Sequence, residues 1–271
     1  MFGRKAAACI GMLCALAPFS TPDTGTAASN GTTAFTCAKV SPEKEEGTFK
    51  GMHCRSGDAG TGDYAHMAIP VDTKTTLSGT NSSTASETSA AAPTLLKSTI
   101  FGLPIEFVAT GVSANGWLMN RLAKGGEHFA EGSVTITYTG VTVMYTGGEE
   151  GAGVGCKVKN GSFETNPIKF TTAGQKMTPK LSSEGGEPFA NIQMEGCAYE
   201  PLNIAWPTKG SIAGSADGAT LTFAHTDTTA ANSFTFGGAK AGVEGSLTLS
   251  GRPSGGEEQP TPLSFTTVET P

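Results

Sequence analysis

The sequence lacks the short motifs that would assign it a reaction. Its 271 residues contain no G-x-S-x-G nucleophile elbow, H-E-x-x-H zinc motif, phosphate-binding loop or dinucleotide fingerprint. The four histidines, at positions 53, 66, 128 and 225, are far apart along the chain. Because catalysis needs several titratable groups at one reacting centre, the sequence favours a protein that is not an enzyme and predicts no cofactor. A carboxylate pair brought together by folding remains the alternative.

Positive charge is also scarce. Lysine and arginine number 18 against 24 acidic residues, the net charge is −6, and only 15% of residues are charged. No stretch is rich in basic residues, so nucleic acid and anionic membranes are poor candidates for partners. A cell-surface glycan or another extracellular protein remains open as the partner.

No apolar run is long enough to cross a membrane. The longest has about 14 residues, follows Arg4 and Lys5 and ends in small residues, whereas a spanning helix needs roughly 20. Residues 1–28 are therefore predicted to be a cleavable signal peptide, with a buried N-terminal helix as the alternative. The mature chain, 29–271, is predicted to be secreted, with no membrane span after cleavage.

Cysteine is rare, and its positions fit an exported chain. Two of the six cysteines lie in the predicted signal peptide, and the mature chain keeps Cys37, Cys54, Cys156 and Cys197. An even number of cysteines in a secreted chain predicts disulfides. Of the three possible pairings, Cys37–Cys54 with Cys156–Cys197 is the most local, and each pair brackets adjacent strand-like segments. A zinc site is the alternative, but C-x-x-C is absent, so we predict no metal.

Helical spacing of apolar residues is scarce, and period-two alternation takes its place. Apolar residues alternate with threonine at 134–138, 220–223 and 247–249, which is typical of antiparallel strands with one packed face. Hairpin turns are predicted at these pairs: Asn160-Gly161, Asp217-Gly218 and Gly237-Gly238. The fold is predicted to be all-β, an antiparallel β-sandwich or flattened barrel with two disulfides.

A few segments depart from the strand pattern. Gly116–Ala123 is the one helix candidate. A Ser/Thr/Ala-rich loop is predicted at 78–93 and a linker-like stretch at 251–262, both poor in large apolar residues. We expect a single β domain over 29–271; a separate small unit over 32–77 is the alternative.

Several phrases carry a family resemblance. They include TTAFTCAKV and GTFKGMHC, GCKVKNGSFETNPIKFTTAGQ, and PLNIAWPTKGSIAGSADGATLTFAH. Over most of the mature chain the sequence resembles an uncharacterised family of secreted proteins of soil actinobacteria, of the Solirubrobacter type. The resemblance implies export and a compact disulfide-bonded body, and it implies no function. The family often has cysteines where this chain has Val108 and Val141, which implies that these valines face each other in the core.

Three groups of polar residues are candidate sites. Gly57–Asp63 has two aspartates in a glycine-rich turn that could wrap a calcium ion, although a solvated turn is favoured. Glu127 and His128 with Glu131 could form a carboxylate–histidine pair, although a polar hairpin end is favoured. Alternation places Glu106 on the wet face, opposite Ile105 and Phe107.

Aromatic side chains could stack on a ligand if they were exposed together. The candidates are Trp117, Trp206, Tyr64, Tyr138, Tyr145 and Tyr199. The favoured interpretation is that Trp206 lies in the core and that Trp117 covers an edge of the sandwich.

The sequence therefore leads to three hypotheses. The first is a non-catalytic extracellular or cell-surface β protein, a binding or structural module of unknown ligand. The second is a secreted glycan hydrolase with a carboxylate pair. The third is a subunit of an extracellular assembly that pairs through an edge strand.

We predict that the secreted chain begins within 26–30. The basic start, the short apolar run and the small residues that follow it define the cleavage region. N-terminal sequencing of protein from the culture medium checks this, and secreted protein that still begins at Met1 would contradict it.

Overall fold

The computed structural model describes residues 29–41, 47–81, 94–145, 155–173, 178–224, 232–253 and 260–269. The predicted signal peptide lies outside the described residues. Within these ranges the chain forms twenty β-strands and no α-helix, so the all-β prediction is confirmed. Accordingly, the described part of the chain has no helix of the length and apolarity needed to span a bilayer.

The strands are β1 Ser29–Lys39, β2 Gly47–Phe49, β3 Ala59–Gly62, β4 Tyr64–Ala68, β5 Thr75–Asn81, β6 Thr94–Ile100, β7 Leu103–Leu122, β8 His128–Tyr145, β9 Lys157–Val158, β10 Ser162–Glu164, β11 Ile168–Ala173, β12 Thr178–Ser183, β13 Ala190–Glu195, β14 Ala205–Lys209, β15 Ser211–Ala213, β16 Ser215–Asp217, β17 Thr220–Phe223, β18 Thr235–Phe236, β19 Ala239–Pro253 and β20 Thr261–Glu269.

The two long strands β7 and β8 form one antiparallel hairpin in a single register, from Ile105 opposite Tyr145 to Leu122 opposite His128. The helix predicted at Gly116–Ala123 is wrong, because this segment is the second half of β7. Leu118 faces the core there and Trp117 faces outward. Pairing on both edges of β7 outweighs the weak helical spacing of so short a segment.

The large sheet closes on itself. On one side of the hairpin, β5 and β6 lie end to end along β7, and both pair with β19, which pairs with β17 and then β16. On the other side, β8 pairs with β11, β11 with β12, and β12 with β15. The two sides meet at Gly214, which joins β15 to β16 and donates its N–H to Pro179. The architecture is a flattened antiparallel barrel.

One of the three predicted turn pairs is confirmed, and a second is displaced by one residue. Gly237-Gly238 closes the β18–β19 hairpin, and the β16–β17 turn falls on Gly218-Ala219, one residue beyond the prediction. Asn160-Gly161 is not a hairpin turn. Both residues have a φ of 61°, but β9 and β10 on either side pair with the same strand, β8, so the pair is a bulge in one interrupted strand.

Two predicted loops are partly strand. Residues 78–81 belong to β5 and pair with both β7 and β19, whereas 82–93 lie outside the described residues. Likewise, 251–253 end β19 and 261–262 begin β20. The loop prediction failed at these residues because strand pairing uses backbone hydrogen bonds, which small residues also form. At Gly79, for example, an added Cβ would lie 2.8 Å from the Leu249 side chain.

Both predicted disulfides are confirmed. Cys37 is bonded to Cys54 with Cα atoms 5.9 Å apart, and Cys156 to Cys197 with Cα atoms 3.9 Å apart. The second Cα separation is shorter than the roughly 4.4–6.8 Å expected from sequence. Cys37–Cys54 joins β1 to the segment after β2, and Cys156–Cys197 joins the start of β9 to the segment after β13.

Asn120 attaches the N-terminal strands to the large sheet. It lies on β7 and is 2% exposed. Its Oδ1 accepts the N–H of Ala34 at 2.8 Å, and its Nδ2 donates to the carbonyl oxygens of Ala34 and Ile69, both at 2.9 Å. One buried amide therefore satisfies backbone groups of β1 and of the segment after β4, where few other partners could reach them.

We predict that Asn120→Ala lowers the free energy of unfolding by about 3 kcal/mol, because it removes three buried hydrogen bonds and leaves backbone groups unpaired. Asn115→Ala, at an exposed position of the same strand, is the matched control and should change it by less than about 0.5 kcal/mol. Chemical denaturation of the oxidised protein measures both, and equal values for the two variants would contradict the assignment.

Candidate functional site

Three large apolar side chains are exposed on the β6–β7 turn and on the loop between β13 and β14. Phe101 is 63% exposed, Ile204 50% and Tyr199 42%. Phe101 contacts Tyr199 and Trp206 edge-on, with ring centroids 5.8 and 5.9 Å away. Trp206 is only 8% exposed. We call Phe101, Tyr199 and Trp206, together with Ile204 on the same loop as Tyr199, the aromatic patch.

Phe101 occupies an unusual backbone position. It is the first residue of the two-residue turn between β6 and β7, where Ile100 pairs with Leu103. Its φ is 52°, and that of Gly102 is 79°. Such turns favour glycine or asparagine, because a bulky side chain at positive φ is strained. A phenylalanine at the tip of this turn therefore suggests a role for its exposed ring.

The loop that carries Tyr199 and Ile204 is held firmly. The Cys156–Cys197 disulfide fixes its start. The Asn203 side chain accepts the N–H of Cys197 and donates to the carbonyls of Cys197 and Glu200. These bonds restrain the loop before any partner arrives, so that less conformational entropy is lost on binding.

Trp206 is the fixed base of the aromatic patch. Its Nε1 donates to the carbonyl of Leu202 at 3.1 Å. The ring also packs on Gly237, at the β18–β19 turn, where an added Cβ would come within 2.4 Å of a ring carbon. Glycine at this turn thus supplies both the positive φ of 58° and the space for the indole.

Only part of this site is predicted from the sequence. The prediction that Trp206 lies in the core is confirmed, and Tyr199 is one of the six aromatic candidates. Phe101 and Ile204 are not among the candidates. One sequence feature could have identified Phe101. It precedes Gly102 between the apolar residues Ile100 and Leu103, and polar residues are usual at such a turn.

The other aromatic candidates lie apart from the aromatic patch. Trp117 is on the outer face of β7, not at an edge, and the Nζ of Lys74 lies 4.8 Å above its ring. Tyr138 faces the interior and stacks on Phe163. Tyr64 begins β4. The side chain of Tyr145 lies outside what the structure describes.

The acidic candidates do not form a metal or catalytic cluster. Asp58 ends a short 3-10 turn and Asp63 follows β3. The segment Gly57–Asp63, the candidate calcium loop, therefore consists of the end of this turn and a strand. Across the described ranges, no three His, Cys, Asp or Glu side chains are grouped to hold a metal ion. Glu106 lies between the buried Ile105 and Phe107 and is only partly exposed, on the opposite face as expected.

Glu131 pairs with arginine rather than with His128. Its Oε1 accepts the Nε–H of Arg121 at 2.7 Å, and Asp72 accepts an N–H from the same guanidinium. Hydrogen bonds to Glu131 and Asp72 raise the pKa of Arg121. Glu127 is exposed, and its carbonyl closes the β7–β8 turn by accepting the N–H of Ala123.

The two valines do not replace a cross-link. Val141 is buried opposite Ala109, whereas Val108 is partly exposed and lies opposite Thr142. Because side chains alternate along a strand, Val108 and Val141 point to opposite faces of the sheet. The expectation that they face each other is therefore wrong by one residue of register.

His66 has a lowered pKa. Its ring lies between Phe35 and Phe49, with centroids 5.3 and 4.6 Å away, and its buried Nε2 has no hydrogen-bond partner in the described ranges. Burial lowers its pKa below 6.5. The neutral ring is favoured in the folded state, so stability falls as the pH drops through the unfolded-state pKa. This setting is typical of a packing role.

No protein-family model, curated protein or solved structure matches this chain. The resemblance to the actinobacterial secreted family therefore stays a prediction. Assignment of a function rests on the geometry of the aromatic patch and of the described acidic residues.

We predict that Phe101→Gly changes the free energy of unfolding by less than about 1 kcal/mol, because relief of positive-φ strain opposes the lost ring contacts. Phe107→Ala is the contrasting variant: its ring is 2% exposed, and its loss should cost about 3–5 kcal/mol. Thermal and denaturant unfolding measure both. A comparable loss at both positions would mean that Phe101 has a structural role.

Proposed function

We propose that this protein is a non-catalytic extracellular binding module that engages another extracellular protein through the aromatic patch. The observation that carries the proposal is the exposed ring of Phe101, on a strained turn beside a loop fixed by a disulfide. Binding hot spots are rich in rigid aromatic side chains whose neighbours exclude water. Exposed apolar patches of this kind typically mark protein interaction sites.

The polar groups around the aromatic patch favour a protein over a glycan as partner. A sugar presents many hydroxyl groups, each of which needs a hydrogen-bond partner at its binding site. The amide of Asn203 is already bonded within its own loop, and the indole N–H of Trp206 is bonded to Leu202. The remaining surface of Phe101 and Ile204 suits apolar side chains.

The two other hypotheses have less support. For the hydrolase, the carboxylates of Asp72 and Glu131 converge on Arg121, and both are bound to its guanidinium. For edge-strand assembly, closure of the large sheet at Gly214 pairs the strands that would otherwise be its edges. Export is part of the proposal, and the predicted signal peptide and the two disulfides support it.

Site-specific crosslinking tests the proposal. A photoreactive benzophenone amino acid replaces Phe101 in the secreted protein, and the same group replaces Thr222, an exposed residue of β17, as the control. We expect one protein to be crosslinked from position 101 and not from 222. The partner is then purified, and its Kd for the unlabelled protein is measured.

We predict that Phe101→Gly and Tyr199→Ala each weaken binding to this partner by at least about thirty-fold, the range of an interface hot spot. Thr222→Ala should leave the Kd unchanged. Equal affinity of all four proteins would contradict the proposal, as would binding of purified glycans that depends on Phe101. Hydrolysis of a glycan, ester or peptide that is lost on mutating Asp72 or Glu131 would favour the hydrolase hypothesis.

A further inference from the structure

Basic side chains lie in a row across the outer face of the large sheet. Arg252 on β19 pairs with Thr76 on β5, which pairs with Trp117 on β7. Trp117 pairs with Ser133 on β8, which pairs with Lys169 on β11. Residues paired across neighbouring strands point to the same face of a sheet. Four strand spacings separate Arg252 from Lys169, which is about 19 Å along the sheet.

Two further lysines extend this row. Lys74 precedes β5, and its Nζ lies 4.8 Å above the ring of Trp117. Lys180 on β12 pairs with Thr171, which lies two residues beyond Lys169 on β11 and on the same face. We call Arg252, Lys74, Lys169 and Lys180 the basic surface. All four residues are exposed.

The acidic residues on this part of the sheet are already bound to arginine. In the ranges 72–76, 117–121, 131–135, 167–171, 178–182 and 250–252 they are Asp72 and Glu131, and both carboxylates are paired with Arg121. The members of the basic surface on β11, β12 and β19 form no ion pair within the described ranges. The whole chain has a net charge of −6. This face therefore concentrates positive charge on an acidic protein.

Hydroxyl groups lie between the basic side chains. Thr76 and Ser133 are within the row, and Ser78 and Thr135 lie in the next row along the same strands. None of these four residues is buried. Hydroxyl groups donate and accept hydrogen bonds, as the hydroxyl groups of a sugar do. The face thus offers positive charge for carboxylates and hydrogen bonds for sugar hydroxyls.

The spacing of the charges favours a carbohydrate over nucleic acid or a lipid surface. Duplex DNA carries one phosphate charge per roughly 1.7 Å of its axis, and anionic membranes attract clusters of about 4–8 adjacent basic residues. The basic surface instead spreads its charges over several strands. A polymer of uronic acids also has separated charges, with one carboxylate on each sugar ring.

We propose that the basic surface binds an acidic polysaccharide, a chain of sugars that carry carboxylates. Ion pairs form with Arg252, Lys169 and Lys180, and the hydroxyl groups between them bond to sugar hydroxyls. Lys74 contributes from the position in which the ring of Trp117 holds its ammonium group. The basic surface and the aromatic patch share no residue, and this inference does not depend on the function proposed for the aromatic patch.

The probe is polygalacturonate, a linear polymer with a carboxylate on every sugar. Its fully methyl-esterified form has the same backbone without the charge and is the matched ligand. Each polymer is immobilised, and the Kd of the oxidised mature protein is measured by biolayer interferometry at low and at high salt. We expect saturable binding to polygalacturonate that weakens as salt rises, because salt screens exposed charges. We expect no binding to the ester.

Variants that remove single charges test the residues. Lys169→Gln, Lys180→Gln and Arg252→Gln should each weaken binding by about three-fold, as is usual for an exposed ion pair. The triple variant should weaken it by about thirty-fold, because effects at separate sites add. Lys159→Gln, in the bulge between β9 and β10, removes the same charge from another exposed position and should leave the Kd unchanged.

A double-mutant cycle tests the role of Trp117. Trp117→Ala should weaken binding by about three-fold, and Trp117→Phe should restore it, because a ring again lies beneath the ammonium group. In protein that already carries Lys74→Gln, Trp117→Ala should cause no further loss. A further loss in that background would overturn the positioning role of Trp117.

Four results would overturn the proposal. They are no saturable binding of polygalacturonate, equal binding of its methyl ester, an unchanged Kd in the triple variant, and binding of duplex DNA or phosphatidylserine vesicles as tight as that of polygalacturonate. Phe101→Gly should leave the Kd for polygalacturonate unchanged. Loss of binding in that variant would also overturn the proposal, because the polysaccharide would then use the aromatic patch.

Discussion

The unbroken register between β7 and β8 is the constraint on which the other strands depend. Because side chains alternate along both strands, one register decides for the whole hairpin which residues point inward. Ile105 and Phe107 enter the core, and Glu106 between them does not. On one edge of the hairpin lie β5 and β6, and on the other lie β9, β10 and β11. A shift of β7 by one residue against β8 would place the inward-facing residues of β7 opposite outward-facing residues of β8.

The aromatic patch lies where this frame ends, on the β6–β7 turn and on a loop tied down by Cys156–Cys197. Because the turn and the loop are both held in place, the patch offers its aromatic side chains at the surface without a moving part.

Much of the fold could be predicted because alternation and glycine pairs are local signals. These signals predict the all-β class and the Gly237-Gly238 turn. The even number of cysteines and their local spacing predict both disulfides. The helix at Gly116–Ala123 and the facing of Val108 with Val141 failed because both depend on which strand pairs with which, and in what register. Phe101 was missed for a related reason. The exposure of a turn residue, and the loop that folds beside it, are set by contacts distant in sequence.

The pairing of β1 with β20 has a consequence for how the protein folds. Ser29 pairs with Glu269 and Thr36 with Leu263, so the first described strand lies beside the last. Local hairpins such as β7–β8 can form early, but the N-terminal strand has no complete set of partners until almost the whole chain has been made. Contacts of such wide separation slow folding. Until β20 arrives, β1 has an open edge that other chains could pair with, and a protein of this topology would benefit from a chaperone while it folds.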